Sequence, residues 1–432
     1  MTKTGLFVFR RDFRFEDNLS LVELSKTCTT IYPIFIFTPT QTTKNTYFSS
    51  NSFQFLVESL KSIPTVSIFF GDNIDVITHL IDTLQIDVVA QNRDYTPYAK
   101  QRDAQIRKVC EKKGVEYISL DDYTLVPFDS VRNGGYYSVF NPFYAQIQKR
   151  TIVPTQTVRR RSFKNVPTTK YSTTFAKIEK LYTYNDKVLV KGGRKNALLV
   201  LKKLKNFKNY ANIRNLPKHN TTLLSAYIKY GCVSIREVYR AMVKSVGKGS
   251  ELVRQLVWHD FYAMLMDGLD PKQTTQGKGN FQNKTVKWVT NASHFKKWCQ
   301  GKTGFPIVDA AMRQLNTQGW MPNRCRLIVS NFLAHKLRID WRKGEKYFAQ
   351  QLIDYDVSSN NLNWQFTAGV GTDRTPYARV YNPFRQSKEY DKDCEYIYKW
   401  IPELEGVDPK AIHAWDTSYD EYDTKYPAPI VM

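Results

Sequence analysis

The sequence predicts an α/β N-terminal domain built as a doubly wound, Rossmann-like parallel sheet, followed by an all-α C-terminal domain. Three observations predict this. Across residues 5–119, short apolar runs of strand length alternate with segments of helical period. From Gly192 onward the helical period continues through one amphipathic stretch after another. At 432 residues the chain is long enough for two or three domains, each with its own core.

Residues 5–9 read as a buried strand that runs into the turn RRDFRFEDN, where Asp17 or Asn18 can cap the next helix. Strands follow at 31–37, 66–70, 86–90 and 115–119, and helices at 53–63, 74–84 and 98–113. Alternation of this kind makes parallel strands joined by crossover helices. No Gly-rich dinucleotide fingerprint follows the first strand, so nicotinamide binding is not supported. The pattern weakens after about residue 128. The sheet domain is placed at 1–128, a linker at 129–190 and the helical domain at 191–432. RRRSFK at 159–164 reads as exposed loop, with a nuclear-import tract as the weaker reading.

Lys and Arg total 63 against 40 Asp and Glu, a net charge of +23. Such an excess fits a polyanionic partner, most simply nucleic acid. Aromatic residues make up 14%, and aromatics stack on bases and flavins as well as filling cores. The cysteines Cys28, Cys110, Cys232, Cys299, Cys325 and Cys394 form no C-x-x-C pair, so no metal centre is expected. Neither do they suggest a disulfide framework, which suits a reducing compartment. The N-terminus MTKTGLFVFRRDFR is no signal peptide, because charge follows the apolar run too soon. No apolar stretch has membrane-spanning length. A soluble, intracellular monomer with no membrane partner is expected, with the cytoplasm and nucleus both open.

The stretch at 304–376 organises the helical half. Apolar residues recur at helical spacing through Ile307, Ala310, Ala311, Leu315, Ile328, Phe332, Leu333, Phe348 and Leu352. Asn323, Arg324, Arg326, Asp354, Asp356 and Asn360 interrupt them. Helices with so many inward-capable polar groups line a site more often than they fill a core.

GWMPNRCR, LIDYDVSSNNLNWQF and GTDRTPYARVYNPFRQ resemble, in that order, the flavin-binding segments of the photolyase/cryptochrome family. The resemblance runs from FRRDFRFEDN to YPAPIV and is closest to the class I cyclobutane pyrimidine dimer photolyases. It implies non-covalently bound FAD and light-driven repair of pyrimidine dimers in DNA. Tyr210, Thr221, Thr222, Leu223, Leu224, Ser225, Gln255, Asn323, Arg326, Asp354, Asp356 and Asn360 match the FAD-lining positions. A helix start rich in Thr and Ser offers NH and OH donors to a pyrophosphate, although a plain helix cap is the simpler reading of that run alone. By the same resemblance Asn360 faces flavin N5, and Arg326 pairs with Asp354 beside the ring. Asp356 accepts from a ring NH.

Gln255 and Trp258, one turn apart, match the face that meets an extruded lesion, and with Asn360 they are the catalytic candidates. Arg214, Asn323, Arg324 and Gln386 match further DNA contacts, and Trp364, Trp341 and Trp288 match the chain that photoreduces the flavin. The segment NRDYTPYAKQRD lacks the Asn-Glu pair of the folate-binding members. Folate is therefore not expected as the antenna pigment; a deazaflavin or an empty pocket is.

Five positions depart from the bacterial pattern: Gln255 for Glu, Leu327 for Met, Phe366 for Trp, Pro322 for His and Leu223 for Arg. Gln255 and the TTLLSAYIKYGCVS run look more like (6-4) photolyases. The two histidines of those enzymes, however, are replaced by Asn323 and Leu327, and a proton transfer cannot proceed without its acid. The chain stops just past YPAPIV, without the long tail of a cryptochrome. Cyclobutane dimer repair is the expected activity, with (6-4) repair or blue-light sensing as the alternatives.

Overall fold

A computed structural model of the chain describes residues 3–132, 135–159, 162–274, 280–282, 284–371 and 379–431. Arg160 and Arg161 of the RRR tract and residues 372–378 of the GTDRTPYARV loop lie outside the described residues. The chain divides into two compact units. Met1–Asn185, Val190–Asn206 and Leu224–Gly268 make the first, and Asp186–Leu189, Phe207–Leu223 and Leu269–Met432 the second.

The first unit holds strands β1 (Lys3–Val8), β2 (Cys28–Phe37), β3 (Ser67–Phe70), β4 (Val88–Asn92) and β5 (Glu116–Leu120). Their order is β3-β2-β1-β4-β5, with every pair parallel. Helices α1 (Leu19–Thr27), α2 (Ser50–Lys61), α3 (Asn73–Leu84) and α4 (Pro97–Lys113) make the crossovers. This is the doubly wound order, with its switch point between β1 and β4. All five residues of β4 are buried, as expected of a strand covered on both faces. Asn18 caps α1 by accepting from the Leu21 amide.

Helices α5 (Phe140–Gln148) and α6 (Phe175–Glu179) follow, and between them Ser162–Phe163 forms β6. Part of the stretch expected as an exposed loop therefore joins the sheet. Ser162 and Phe163 pair with Thr30 and Ile31 at the start of β2, and the Phe163 ring packs on Phe15 at 4.6 Å.

The two units are not divided at one point in the chain. Of the next helices, α7 (Arg194–Lys202), α9 (Ser225–Lys229), α10 (Ile235–Val246) and α11 (Glu251–Gly268) fall in the first unit, and α8 (Tyr210–Ile213) in the second. Buried charges explain this. Arg236 of α10 donates to Asp122 at 2.7 Å and to Asp17 at 3.1 Å, and Arg14 donates to the other Asp122 oxygen at 2.6 Å. Each of these four side chains is at most 4% exposed. Separating any of them would leave an unpaired buried charge.

The described elements of the second unit are helical. They run through α12 (Ala292–Gln300), α13 (Pro306–Gln318), α14 (Asn323–Asn331), a π-helical turn (Phe332–Lys336), α15 (Trp341–Gln351), α16 (Val357–Thr367), α17 (Pro383–Tyr390) and α18 (Glu395–Trp400). The apolar series from Ile307 to Leu352 picked out by its spacing is buried in one core with Trp298, Trp341 and Trp364. Asp309 is wholly buried in that unit, and its oxygens accept from the Thr303 and Gly304 amides, the Thr303 hydroxyl and the Tyr426 hydroxyl.

Candidate active site

Polar side chains of the second unit converge on a cavity of about 150 Å³, roughly ten times the room a single water needs. Two helices supply most of it. On α14, Asn323, Arg326, Leu327 and Ser330 stand at i, i+3, i+4 and i+7 and so share one face, while Cys325, Ile328 and Val329 go into the core behind. On α16, Ser359, Asn360, Asn363, Trp364 and Thr367 line the opposing wall. Phe348, Leu352, Asp354, Tyr355 and Asp356 complete the lining from the end of α15 and the turn after it.

Arg326 Nη2 donates to both oxygens of Asp354, at 2.9 and 3.1 Å, and its Nε to the Met321 carbonyl at 2.9 Å. The Asp354 side chain is 3% exposed and that of Arg326 24%, so the pair brings a neutralised but directional charge to the cavity edge. Asp356 caps α16 by accepting from the Ser359 amide at 2.9 Å, which fixes the first turn and with it Asn360. Asn360 Nδ2 donates to Glu345 Oε1 at 3.3 Å, and Tyr355 OH donates to the same oxygen at 3.0 Å. Sequence reasoning missed Glu345, which is fully buried. The available signal was a carboxyl three residues before Phe348, on the core-facing stripe of α15.

Trp364, at 2% exposure, closes the base of the cavity. Its ring packs edge-on to Phe348 at 5.0 Å and to Trp298 at 6.2 Å. Trp298, also unforeseen, is fully buried and donates from Nε1 to the Val329 carbonyl. Trp341 is wholly buried in this core, and Trp288 packs partly buried against it.

The structure thus gathers Asn323, Arg326, Asp354, Asp356, Asn360 and Trp364 around one cavity. Tyr210, Arg214, Thr221, Thr222, Leu223, Arg324 and Gln386 belong to the same unit but lie outside that lining. Arg324 lies over the Tyr390 ring at 4.3 Å and donates to Asn215 at 3.1 Å. Leu224, Ser225, Gln255 and Trp258 belong to the first unit. There Trp258 stacks on Phe140 with centroids 3.6 Å apart, and Gln255 donates to Glu251 one turn back at 2.9 Å. In the Thr/Ser run, α9 begins at Ser225 with Leu224 at the cap position, and no side chain caps it. Leu223 takes φ +56°, a left-handed conformation that is uncommon outside glycine.

Residues 6–160 match the DNA photolyase family, and residues 252–432 match the FAD binding domain of DNA photolyase. The deoxyribodipyrimidine photo-lyase of Buchnera aphidicola subsp. Baizongia pistaciae is 33% identical over 99% of this chain and 95% of its own. The archaeal photolyase of Sulfolobus tokodaii, solved with two FAD molecules, superposes with a TM-score of 0.87 at 33% identity, covering 99% of this chain and 96% of its own. The cryptochrome of Synechocystis sp. PCC6803 superposes at 0.91, covering 100% and 97%, but at 24% identity it speaks to the fold alone.

The cavity suits the flavin of such an FAD. Leu327, Phe348, Leu352 and Trp364 offer apolar walls for a flat ring, and the amides, hydroxyls and Arg326–Asp354 pair offer partners for its polar edge. Sequence, sheet order and cavity agree, and the chain belongs to the photolyase/cryptochrome family.

Proposed function

We infer that this protein is a deoxyribodipyrimidine photo-lyase that splits cyclobutane pyrimidine dimers in DNA with the energy of blue or near-UV light. The observation that carries this reading is the cavity in which Arg326, Asp354, Asp356 and Asn360 meet. When bound there, the flavin supplies the photoexcited electron that opens the cyclobutane ring and is then recovered. The chain's own residues do the rest. Asp354 and Arg326 would hold the polar edge of the ring, Asp356 would accept from a ring NH, and Asn360 would present a neutral amide at N5. Trp364 and its buried neighbours keep water from the base of the cavity and, with Trp341 and Trp288, relay electrons from the surface.

A dimer reaches the flavin only if it leaves the stack, and a damaged, poorly stacked pair is cheaper to extrude than normal bases. Gln255 and Trp258 receive it, one at the base edge and the other by stacking. Arg214, Asn323, Arg324 and Gln386 steady the surrounding DNA, and the excess of lysine and arginine tracks phosphates. Tyr210 and the 221–225 run hold the rest of FAD.

Residues 1–128 take the antenna role. Arg10, buried past the end of β1, donates from its guanidinium to the neutral amides of Asn73 and Gln91, and burial and then Arg102 pull its pKa down to about 9. A buried cation at the sheet's switch point suits an anionic pigment. A deazaflavin or a second flavin, as in the Sulfolobus tokodaii enzyme, meets that description.

Cyclobutane and (6-4) lesions assayed side by side test the reading. Purified protein should show a flavin absorption band and repair only the cyclobutane lesion, only under blue light with reductant. A colourless preparation, equal repair in darkness or repair of the (6-4) lesion would each refute it.

A further inference from the structure

We propose that Phe140 is a positioning residue for lesion recognition: it holds the Trp258 indole in place, so that an extruded dimer meets a ring already ordered. The proposal rests on the functional reading above, in which Trp258 stacks on the dimer. Phe140 opens α5 and is 5% exposed, whereas Trp258 on α11 stays partly exposed. The two ring planes are 3° from parallel, and their centroids are 3.6 Å apart. That is contact distance for carbon atoms, kept across a whole face of the indole.

Two aromatic rings left to themselves prefer an offset or edge-on arrangement, so this face-to-face pair is held by what surrounds it. Arg254, one turn before Trp258, lies over the Phe140 and Tyr144 rings at 5.1 Å from each. Its Nη2 donates to Asn141 Oδ1 at 3.1 Å, which ties α11 to the first turn of α5. Phe261 stands edge-on to both members of the pair, 5.7 Å from Phe140 and 5.6 Å from Trp258. Tyr262, one turn after Trp258, packs against the indole at 5.7 Å.

The consequence is selectivity for the lesion. A side chain that has to be ordered when its ligand arrives costs up to about tenfold in affinity. With Phe140 in place, that ordering is complete before DNA binds. Contacts to the phosphates of undamaged DNA make no use of an indole face, so Phe140 contributes to the dimer complex alone.

The test titrates the full-length, FAD-loaded protein in the dark with a fluorescent single-stranded oligonucleotide that carries a cyclobutane thymine dimer. The same oligonucleotide without the dimer is titrated in parallel. Phe140→Ala should weaken the dimer complex by about tenfold and leave the undamaged complex unchanged. Phe140→Tyr, which keeps a flat ring, should restore dimer affinity, and Phe140→Leu, which fills space without a flat face, should not. In a Trp258→Ala background Phe140→Ala should change nothing further. Wild-type dimer affinity in Phe140→Ala, equal weakening toward both oligonucleotides, or the same loss without Trp258 overturns the proposal.

Should Phe140→Ala fail to fold, leucine against tyrosine decides, and equal dimer affinity in those two variants overturns the proposal. A wild type that binds the dimer no better than undamaged DNA overturns the functional reading and this inference with it. A wild type that prefers the dimer, with any of the failures above in its variants, overturns the inference alone.

Discussion

Replacing Gly344 by alanine should drive flavin from the second unit, although alanine is the better helix former. Gly344 lies inside α15, where Ala is favoured over Gly by about 1 kcal/mol on propensity alone. A Cβ at this position would lie 2.3 Å from Trp364 Cη2, 2.7 Å from its Cζ3 and 2.5 Å from Leu333 Cδ2. Carbon atoms pack at about 3.5–4.0 Å, so each approach is too close by about 1 Å. Trp364 and Leu333 are 2% and 0% exposed and packed in the core with Phe348 and Trp298, and of the two Trp364 also borders the cavity.

Overpacking of this kind costs about 1–3 kcal/mol. Three simultaneous overlaps put Gly344→Ala at the upper end, leaving a net loss of about 2 kcal/mol after the helix gain. Trp364 faces the cavity, so relief of the clash moves its ring into the space the flavin needs. The assay is FAD content after desalting, followed by thermal melting. Substoichiometric FAD and a midpoint lower by about 4–8 °C are expected. A variant that keeps full FAD and melts higher than wild type would show that propensity decides at this position, and the account of the cavity base would be wrong.

Trp341→Phe replaces an easily oxidised, fully buried indole with a ring that does not relay charge. Photoreduction of oxidised flavin should lose most of its rate, while repair by enzyme reduced beforehand stays near wild type; equal loss of both would remove the relay role. Asp391 accepts from the Tyr396 and Ile397 amides, and burial pushes its carboxyl up to about 6. A raised carboxyl contributes stability that is full below its ordinary value of 3.8 and lost as pH rises through about 6. The stability difference between wild type and Asp391→Asn should therefore fall by about 2–3 kcal/mol from pH 4 to pH 7 in urea titrations. A difference independent of pH would sink this assignment.

Period carried most of what the sequence revealed. Strand-length runs separated by helical stretches gave the parallel sheet, and the apolar series from Ile307 to Leu352 gave the core of the second unit because burial depends on face, and face on spacing. The polar cavity residues stood out because Arg326, Asp354 and Asn360 break an apolar pattern. What stayed hidden depends on pairing across long separations. Nothing near Arg236 announces that it closes on Asp17 and Asp122. Two residues of β6 are too few to show a period. Glu345 meets Tyr355 and Asn360 from 10 and 15 residues away in the chain, and no motif marks those pairings.

The composition of the cavity has an energetic consequence for the protein without FAD. The cavity is assembled only when its helices fold together, so a ligand that fills it favours the folded form. A ligand that binds only the folded form returns about 2.7 kcal/mol at a concentration one hundred times its Kd. FAD removal should therefore lower the melting temperature of the helical unit and leave it dependent on added FAD. The loss should concentrate where the cofactor is met. Hydrogen exchange should speed up first at the Ser359 and Asn360 amides, which are held only by the Asp356 cap and the first helical turn. Equal protection of those amides with and without FAD would mean that the walls of the cavity are set without their ligand, and that α16 owes its first turn to the cap alone.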